Sequence, residues 1–230
     1  MKKFDFLVLF CVVVVFIPFF TSNEIYNFYV TFNKDYPLII SFIKFAILAT
    51  FGEALGLRIK TGQYNQKGFG LLPRAIVWGF IGITISIAFK IFYVGVPAFL
   101  EDIGLSNMSQ VMKGPFTFKK LLGAFSISVA INIIYAPVMM TFHKITDTHI
   151  INNKGTLKGF FSKVNFEEII CNLNWKVQWN FVFLKTIPFF WIPAHTITFV
   201  LPPEYQVLSA ALLSIVLGVI LAIAAQKSKK

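Results

Sequence analysis

Long apolar runs constrain the fold of this chain more than any other feature. Six of them approach or exceed the length that crosses a bilayer; they cover residues 6–20, 37–57, 71–100, 121–142, 177–201 and 205–225. A helix needs about 20 apolar residues to span the hydrocarbon core. Because an open chain in lipid satisfies its backbone polar groups only as helices, these runs predict an all-α, polytopic transmembrane bundle of about five or six spans.

The composition excludes the common soluble classes. Hydrophobic residues make up 57% of the 230 residues, and charged residues make up only 13%. A disordered chain needs the opposite balance, and one soluble core could not hide this much apolar surface. The net charge of +11 does not indicate nucleic-acid binding, because no basic stripe with interleaved aromatic residues lies outside the apolar runs. The lipid bilayer is therefore the expected partner.

Prolines are expected to break the fourth and fifth runs. Pro137 lies within the fourth run, and Pro188 and Pro193 lie within the fifth. Proline lacks the N–H that continues a helix, so we expect broken helices at these positions.

The first run follows a short basic segment, which is also the pattern of a signal peptide. The small residues that favour cleavage are lacking, because Phe19 and Phe20 directly precede Thr21. We therefore expect residues 1–22 to form an uncleaved transmembrane helix or signal anchor, and residues 23–230 to form the main membrane domain.

The basic residues are distributed unevenly between the two sides that six spans would create. With the N-terminus inside, the outer segments contain only Lys34, Lys113, Lys119 and Lys120. The inner segments contain Lys2, Lys3, Arg58, Lys60, Lys67, Arg74, Lys144, Lys154, Lys158, Lys163, Lys176, Lys227, Lys229 and Lys230. Lys and Arg concentrate in cytoplasmic loops, so both termini are predicted to be cytoplasmic.

The segment from Lys144 to Lys176 is the only sizeable polar piece of the chain. Between Lys158 and Asn172, its apolar residues fall near helical spacing and are interleaved with Lys and Glu. One interpretation is an amphipathic helix lying on the inner membrane surface. The other is a polar loop with a short helix packed on the bundle.

Glu53 and Lys90 are ionisable residues within the apolar runs. Placing a charged side chain within the bilayer costs several kcal/mol unless it is paired with an opposite charge or is in contact with water. The carboxylate of Glu53 is too short to reach far toward an interface, so we expect a cation such as Arg74 or Lys90 beside it. Two roles fit these residues. They pair helices through a salt bridge, or they line a polar pathway.

The fourth and fifth runs carry further polar residues next to their prolines. Asn132 and His143 flank Pro137, and His195 and Thr198 follow Pro193. Hydroxyl groups can satisfy backbone carbonyls that proline leaves free, which is the local interpretation. The functional interpretation is a cavity in which His195 and the freed backbone carbonyls contact water, since broken helices often form binding sites in transporters.

Patterns of established catalytic or metal sites are lacking. The sequence contains no H-E-x-x-H, G-x-S-x-G, Walker or dinucleotide-binding motif. Its 3 histidines occur without matching Cys or acidic ligands. We therefore expect no catalytic residue, no cofactor and no metal ion.

Several short stretches resemble the Mpv-seventeen family of small integral membrane proteins, also called the small peroxisomal membrane protein family. The matching stretches are Ile25 to Pro37, Gly52-Glu53, Gly79 to Lys90, Tyr135-Ala136-Pro137 and Trp191 to Gln206. Their order and spacing are similar to those of the family, over roughly residues 23–225. The chain departs from the family pattern at Glu53, where the family has Asp, and at His195 and Thr198, where it has Gln and Asn.

The resemblance implies a bundle of four spans to which the first helix is an addition, and the departures indicate a divergent member. The richness in Lys, Asn, Ile and Phe would suit an AT-rich bacterial genome. Family members occur in mitochondrial inner membranes, peroxisomes and bacteria. Some have been proposed to form weakly selective channels. We expect a bacterial cytoplasmic membrane here, with a mitochondrial inner or peroxisomal membrane as the alternative.

Two functional hypotheses follow. The first is a small, weakly selective channel or solute pathway lined by polar residues, Glu53, Lys90, Asn132, His143, His195 and Thr198, with Arg74 as a helix-pairing residue. The second is a non-transporting structural or homeostatic membrane component that binds lipid or a partner protein through its inner loop. Besides the bilayer, a second copy of the chain in a homo-oligomer is a partner that we consider.

Overall fold

Every regular element within residues 3–227, the part of the chain that the computed structural model describes, is a helix. The all-α prediction is therefore confirmed. The helices are α1 (Lys3–Thr21), α2 (Asn23–Asp35), α3 (Pro37–Thr61), α4 (Leu71–Asp102), α5 (Met108–Lys113), α6 (Phe118–Ile134), α7 (Ala136–Asn152), α8 (Leu157–Phe160), α9 (Phe166–Cys171), α10 (Trp175–Val177), a π-helix (Gln178–Trp191), α11 (Ile192–Val200) and α12 (Pro203–Lys227). Lys2, Lys229 and Lys230 of the predicted inner basic set lie outside the described residues.

The chain divides into two compact units, of which the first ends at Ile40 and the second begins at Ser41. Within the first unit, α1 and α2 meet at an angle of 93°. Ser22 lies at the bend and caps α2, because its side-chain oxygen accepts a hydrogen bond from the backbone N–H of Ile25 at 3.3 Å. The boundary predicted between residues 1–22 and the main domain is therefore a sharp bend, and this bend lies inside the first unit.

Three helices of the described chain are long and apolar enough to cross a membrane: Pro37–Thr61, Leu71–Asp102 and Pro203–Ile223. The number rises to 5 if each of two bent helix pairs crosses as one span. These pairs are α1 with α2, and α6 with α7, which meet at 44°. A membrane-spanning helical bundle fits these helices, and the figure of five or six spans stays a prediction.

The fifth apolar run differs most from a simple span. It begins as the 14-residue π-helix and continues without a gap as α11, which has 9 residues. The junction residues Trp191 and Ile192 both have helical backbone angles, and the N–H of Ile192 donates to the backbone oxygen of Ile187, five residues earlier. Pro188 lies inside the π-helix, and Pro193 is the second residue of α11.

The core of the second unit lies where α3, α4, α6 and α11 meet. Phe45, Ile81, Ile127 and Phe199 are almost fully buried there. Gly82 allows α4 to approach α3 closely, because a Cβ atom at this position would lie 2.6 Å from the carbonyl oxygen of Ser41. Small residues at such contacts are typical of helix packing in membranes.

The inner loop does not form the single amphipathic helix considered for Lys158 to Asn172. It contains two short helices, α8 and α9, separated by a stretch without regular helix. Ile169 of α9 is buried against Ile145 and Leu173, and the loop therefore packs on α7 rather than presenting one continuous apolar face. The second interpretation, a polar loop with a short packed helix, describes the observed arrangement.

Two glycines join this loop to the connection between α3 and α4. Gly70 and Gly155 both have left-handed backbone conformations, with φ of 73° and 66°. A Cβ atom on Gly155 would lie 2.5 Å from the backbone nitrogen of Gly70. Because the added Cβ would meet backbone atoms of Gly70, no side-chain movement could relieve the clash.

We expect Gly155→Ala to lower the stability of the protein by about 1–3 kcal/mol through backbone strain, with the clash adding to that loss. Gly68→Ala is a matched control, since Gly68 has a φ of 90° but nothing within 4 Å of an added Cβ. Thermal unfolding of the purified proteins in detergent measures both changes. Equal melting temperatures for the two variants would show that the Gly70–Gly155 contact contributes nothing.

Candidate functional site

Glu53 is the centre of a charged cluster formed by α3, α4 and α7. Its Oε2 atom lies 2.5 Å from Nη1 of Arg74. Its Oε1 atom accepts a hydrogen bond from Nε1 of Trp78 at 3.0 Å and lies 3.1 Å from Nε2 of His143. Both carboxylate oxygens therefore have partners, which offsets the cost of placing this charge within an apolar helix.

Arg74 links this carboxylate to a second one. Its side chain is only 7% exposed, and its Nη2 atom forms an ion pair with Asp147. Its Nε–H group donates to the backbone oxygen of Phe69 at 2.7 Å, and its guanidinium lies 4.5 Å from the centre of the Phe69 ring. One buried arginine thus ties α3, α4 and α7 together at the ends where basic residues concentrate.

A cavity of about 280 Å³ adjoins the cluster. Glu53, His143 and Lys144 contribute its charged and titratable wall, while Met139, Phe181, Leu217 and Leu221 are among its apolar residues. The π-helix forms a large part of the wall. The cavity is slightly smaller than typical small-molecule sites, which measure roughly 300–1,000 Å³.

Two residues of the cavity wall carry a buried side-chain donor that has no partner among the described residues. The donors are Nε2 of Gln178, whose residue is 6% exposed, and Nε1 of Trp191, whose residue is 9% exposed. Buried polar groups of native proteins are nearly always hydrogen-bonded, to protein, water or ligand. An acceptor beside either side chain would remove the cost of its unmade hydrogen bond.

A second, smaller cavity of about 40 Å³ lies next to the first. Asn132 and His195 line it, and Nδ2 of Asn132 lies 3.0 Å from Nδ1 of His195. Asn132 also donates to the backbone oxygen of Ser128 at 2.8 Å, and the Ser128 hydroxyl donates to the backbone oxygen of Ile192 at 2.7 Å. The polar groups of α6 and α11 thus form one hydrogen-bonded chain.

The two cavities share part of their walls. The shared residues are Trp78, Met139, Met140, Trp191 and Ser214. The smaller cavity has room for about one water molecule, taking roughly 30 Å³ for each. Glu53 and His195 therefore face two neighbouring spaces separated by aromatic and methionine side chains.

The structure brings together five of the seven residues singled out in the sequence. Glu53, Arg74 and His143 form the charged cluster, and Asn132 and His195 line the smaller cavity. Lys90 is exposed and lines neither cavity. Thr198 is fully buried, and its hydroxyl donates to the backbone oxygen of Ala194 at 3.1 Å and lies 2.9 Å from the Ser209 hydroxyl.

The hydroxyl groups near Pro193 do not repair the carbonyl that this proline leaves free. The preceding turn is a π-helix, in which the N–H of Ile192 donates to the oxygen of Ile187, five residues earlier, so the same spacing assigns the free carbonyl to Pro188. Thr196 and Thr198 instead donate to Ile192 and Ala194, each four residues before the donor. These hydroxyls are satisfied within their own helix, and the cavity lies on the side of His195.

Trp78, Asp147 and Gln178 were missed as site residues. A signal for two of them was present, because Trp78 follows Arg74 by four positions and Asp147 follows His143 by four positions. Residues at this spacing lie on one face of a helix. Gln178 carries no comparable signal, since its burial depends on the wider turn of the π-helix.

Within residues 3–227, no group of three His, Cys, Asp or Glu side chains is arranged to hold a metal ion. Comparisons of the chain with known protein families, with curated proteins and with solved structures find no match.

Proposed function

We propose that this protein is a multi-pass membrane protein that provides a small, weakly selective pathway for a solute or ion. The observation that carries the proposal is the pair of neighbouring cavities inside the helical bundle, each with polar side chains in its wall. Ionisable residues at membrane depth usually face such a cavity and mark a functional route. Glu53 and His143 would contact the solute in the larger cavity, and Asn132 and His195 in the smaller one.

The shared wall is where such a pathway would open and close. Trp78 and Trp191 are large and bounded by helices, whereas Met139 and Met140 have flexible, unbranched side chains. Movement of the two methionines would connect the cavities without breaking the ion pairs of the charged cluster. Lys90 and Thr198 are not part of this proposed lining, because neither faces the cavities.

A cysteine at the shared wall tests the pathway directly. In a background with Cys11→Ser and Cys171→Ser, we expect Ser214→Cys protein in planar bilayers to conduct, and to lose most of its current after a water-soluble methanethiosulfonate reagent is added. Ser214 lines both cavities, so a bulky adduct there would block the route between them. Currents before and after the reagent are the measurement.

Ser126→Cys is the matched control. Like Ser214, Ser126 lies in a helix and donates its hydroxyl to the carbonyl four residues earlier, but it lines neither cavity. Its current should not respond to the reagent. Absence of conductance for all proteins, at every voltage and with every ion tested, contradicts the pathway.

The cluster of Glu53, Arg74 and Asp147 favours a second function, in which the protein is a non-transporting structural component. Here the buried ion pairs only join α3, α4 and α7. This component would bind lipid or a partner protein, and its inner loop would do so through the packed α8 and α9 segment. Absence of current across planar bilayers that contain well-folded protein would favour this alternative.

We also propose that the chain is a divergent member of the Mpv-seventeen family in a bacterial cytoplasmic membrane. The support is that the resembling stretches coincide with the site: Gly52-Glu53 carries the central carboxylate, Tyr135-Ala136-Pro137 forms the break before α7, and Trp191 to Phe199 lines the cavities and core. The concentration of Lys and Arg at one end supports an orientation with that end in the cytoplasm.

A further inference from the structure

We propose that the larger cavity binds a single-chain amphiphile with an anionic head group, such as a short fatty acid. The inference rests on the proposed pathway for its site, because it names the class of molecule that occupies the pathway's larger cavity. It goes further in assigning the head group to Gln178 and Lys144 and the chain to the apolar wall.

Gln178 supplies the first argument. The residue lines the cavity, and its Nε2 donor is buried and finds no acceptor among the described residues. An unmade hydrogen bond of this kind costs about 1–3 kcal/mol, and a bond to a charged acceptor contributes about 1.5–3 kcal/mol. A turn of the amide toward the cavity would let a carboxylate or phosphate oxygen accept from this donor.

Lys144 supplies the positive charge near the same end. It lines both the larger cavity and a separate polar cavity of about 140 Å³, whose wall also includes Asn174. The backbone N–H of Gln178 donates to the backbone oxygen of Asn174 at 2.9 Å, so Gln178 and Lys144 belong to one end of the site. The ammonium has three donors, and its one ion pair, with Asp147, is long at 3.5 Å.

The carboxylate of Glu53 is directed toward donors of the charged cluster. Its two oxygens have partners in Arg74, Trp78 and His143, and Arg74 also contacts Asp147. The inner loop combines Lys154, Lys158, Lys163 and Lys176 with Glu167 and Glu168, and its net positive charge attracts anions to this part of the protein.

The remaining wall suits a hydrocarbon chain. Met139, Phe181, Val182, Leu217 and Leu221 line the cavity beyond its charged end. If one small heavy group occupies roughly the 30 Å³ of a water molecule, about 280 Å³ holds about nine such groups. This room matches an eight-carbon chain better than a membrane phospholipid.

The test measures binding of 8-bromooctanoate to the full chain in nanodiscs, by quenching of tryptophan fluorescence. A background with Trp175→Phe and Trp179→Phe leaves Trp78 and Trp191, which both line the cavity. We expect saturable quenching that unlabelled octanoate reverses and methyl octanoate, which lacks the charge, does not. Quenching that octanoate fails to reverse, or that methyl octanoate reverses equally, overturns the proposal.

Substitutions then assign the two ends of the site. We expect Gln178→Leu and Lys144→Gln each to weaken binding about tenfold, as loss of a hydrogen bond to a charged group predicts. Val182→Phe, which fills the chain site, should abolish binding, whereas Val138→Phe should not, since Val138 is 70% exposed and lines no part of the cavity. Unchanged affinity in both Gln178→Leu and Val182→Phe overturns the assignment, and either variant suffices if the other does not fold.

Binding is measured here without any flux, so the two proposals fail separately. Saturable binding in a protein that never conducts contradicts the pathway and leaves the ligand site standing. Conductance blocked at Ser214→Cys, with no displaceable quenching, contradicts the amphiphile and leaves the pathway standing.

Discussion

Arg74→Gln is expected to destabilise the protein by about 3–5 kcal/mol, the usual cost of removing one partner from a buried ion pair. The guanidinium is 7% exposed and contacts the carboxylates of both Glu53 and Asp147. Without it, two negative charges stay within the bundle and face each other with too few donors. Glutamine retains two N–H donors but no charge, so it cannot compensate the loss.

Thermal unfolding in detergent, monitored together with size-exclusion behaviour, measures the change. Lys67→Gln is the control, because it removes one positive charge from the exposed connection between α3 and α4. We expect it to change stability by less than about 0.5 kcal/mol, as for other surface substitutions. If Arg74→Gln and Lys67→Gln unfold at the same temperature, the cluster does not hold the three helices together.

A triple variant separates charge from packing. Adding Glu53→Gln and Asp147→Asn to Arg74→Gln removes the unpaired charges and keeps nearly the same side-chain volumes. Replacing a whole buried ionic set is often close to neutral, whereas breaking it is costly. Recovery of most of the lost stability in the triple variant is therefore the expected result, and a further loss would show that the pairs contribute through geometry and not through charge balance.

The helical fold followed from the sequence because one physical constraint dominates it. Runs such as residues 71–100 leave helices as the only open-chain structure that satisfies the backbone in lipid, and α4 covers this run as one helix. The partner of Glu53 also followed from chemistry. A short carboxylate within such a helix needs a nearby cation, and Arg74 is one of the two candidates considered.

Other features depend on contacts that no local pattern encodes. The π-helix over Gln178–Trp191 was not expected, since periodicity predicts a helix but not how many residues each turn contains. The interpretation of residues 158–172 as one amphipathic helix was wrong, because the buried contact of Ile169 with Ile145 and Leu173 outweighs the weak helical spacing. Lys90 was predicted as a lining residue because it lies within the third apolar run, but this position does not reveal which face of α4 the residue occupies.

Gly52→Leu is expected to cause loss of the folded bundle, or a loss of stability well beyond the usual cost of overpacking, about 1–3 kcal/mol. A Cβ atom at Gly52 would lie 2.9 Å from Cα of Ile215 and 3.2 Å from the backbone oxygen of Ser214. On the facing helix, a Cβ atom at Gly218 would lie 2.9 Å from the backbone oxygen of Gly52.

These contacts join backbone to backbone, so neither helix can relieve them by turning a side chain. Separation of α3 from α12 is the only response, and it would move Glu53 and Ser214, which both line the larger cavity. Gly95→Leu is the matched control, because Gly95 also lies within an apolar helix but has nothing within 4 Å of an added Cβ. Leucine is a better helix former than glycine by roughly 0.5–1 kcal/mol, so this variant should unfold at the same or a higher temperature.

Two substitutions of different size at Gly52 also test whether the close α3–α12 contact determines the cavity. Gly52→Ala adds one methyl group and should lower the melting temperature less than Gly52→Leu, while reducing displaceable quenching by 8-bromooctanoate as the wall moves. A stable Gly52→Leu protein with unchanged quenching would mean that α12 does not pack at Gly52. The larger cavity, which Glu53 and Ser214 line, would then lack one of its walls. Both the pathway and the amphiphile site would have to be placed elsewhere in the bundle.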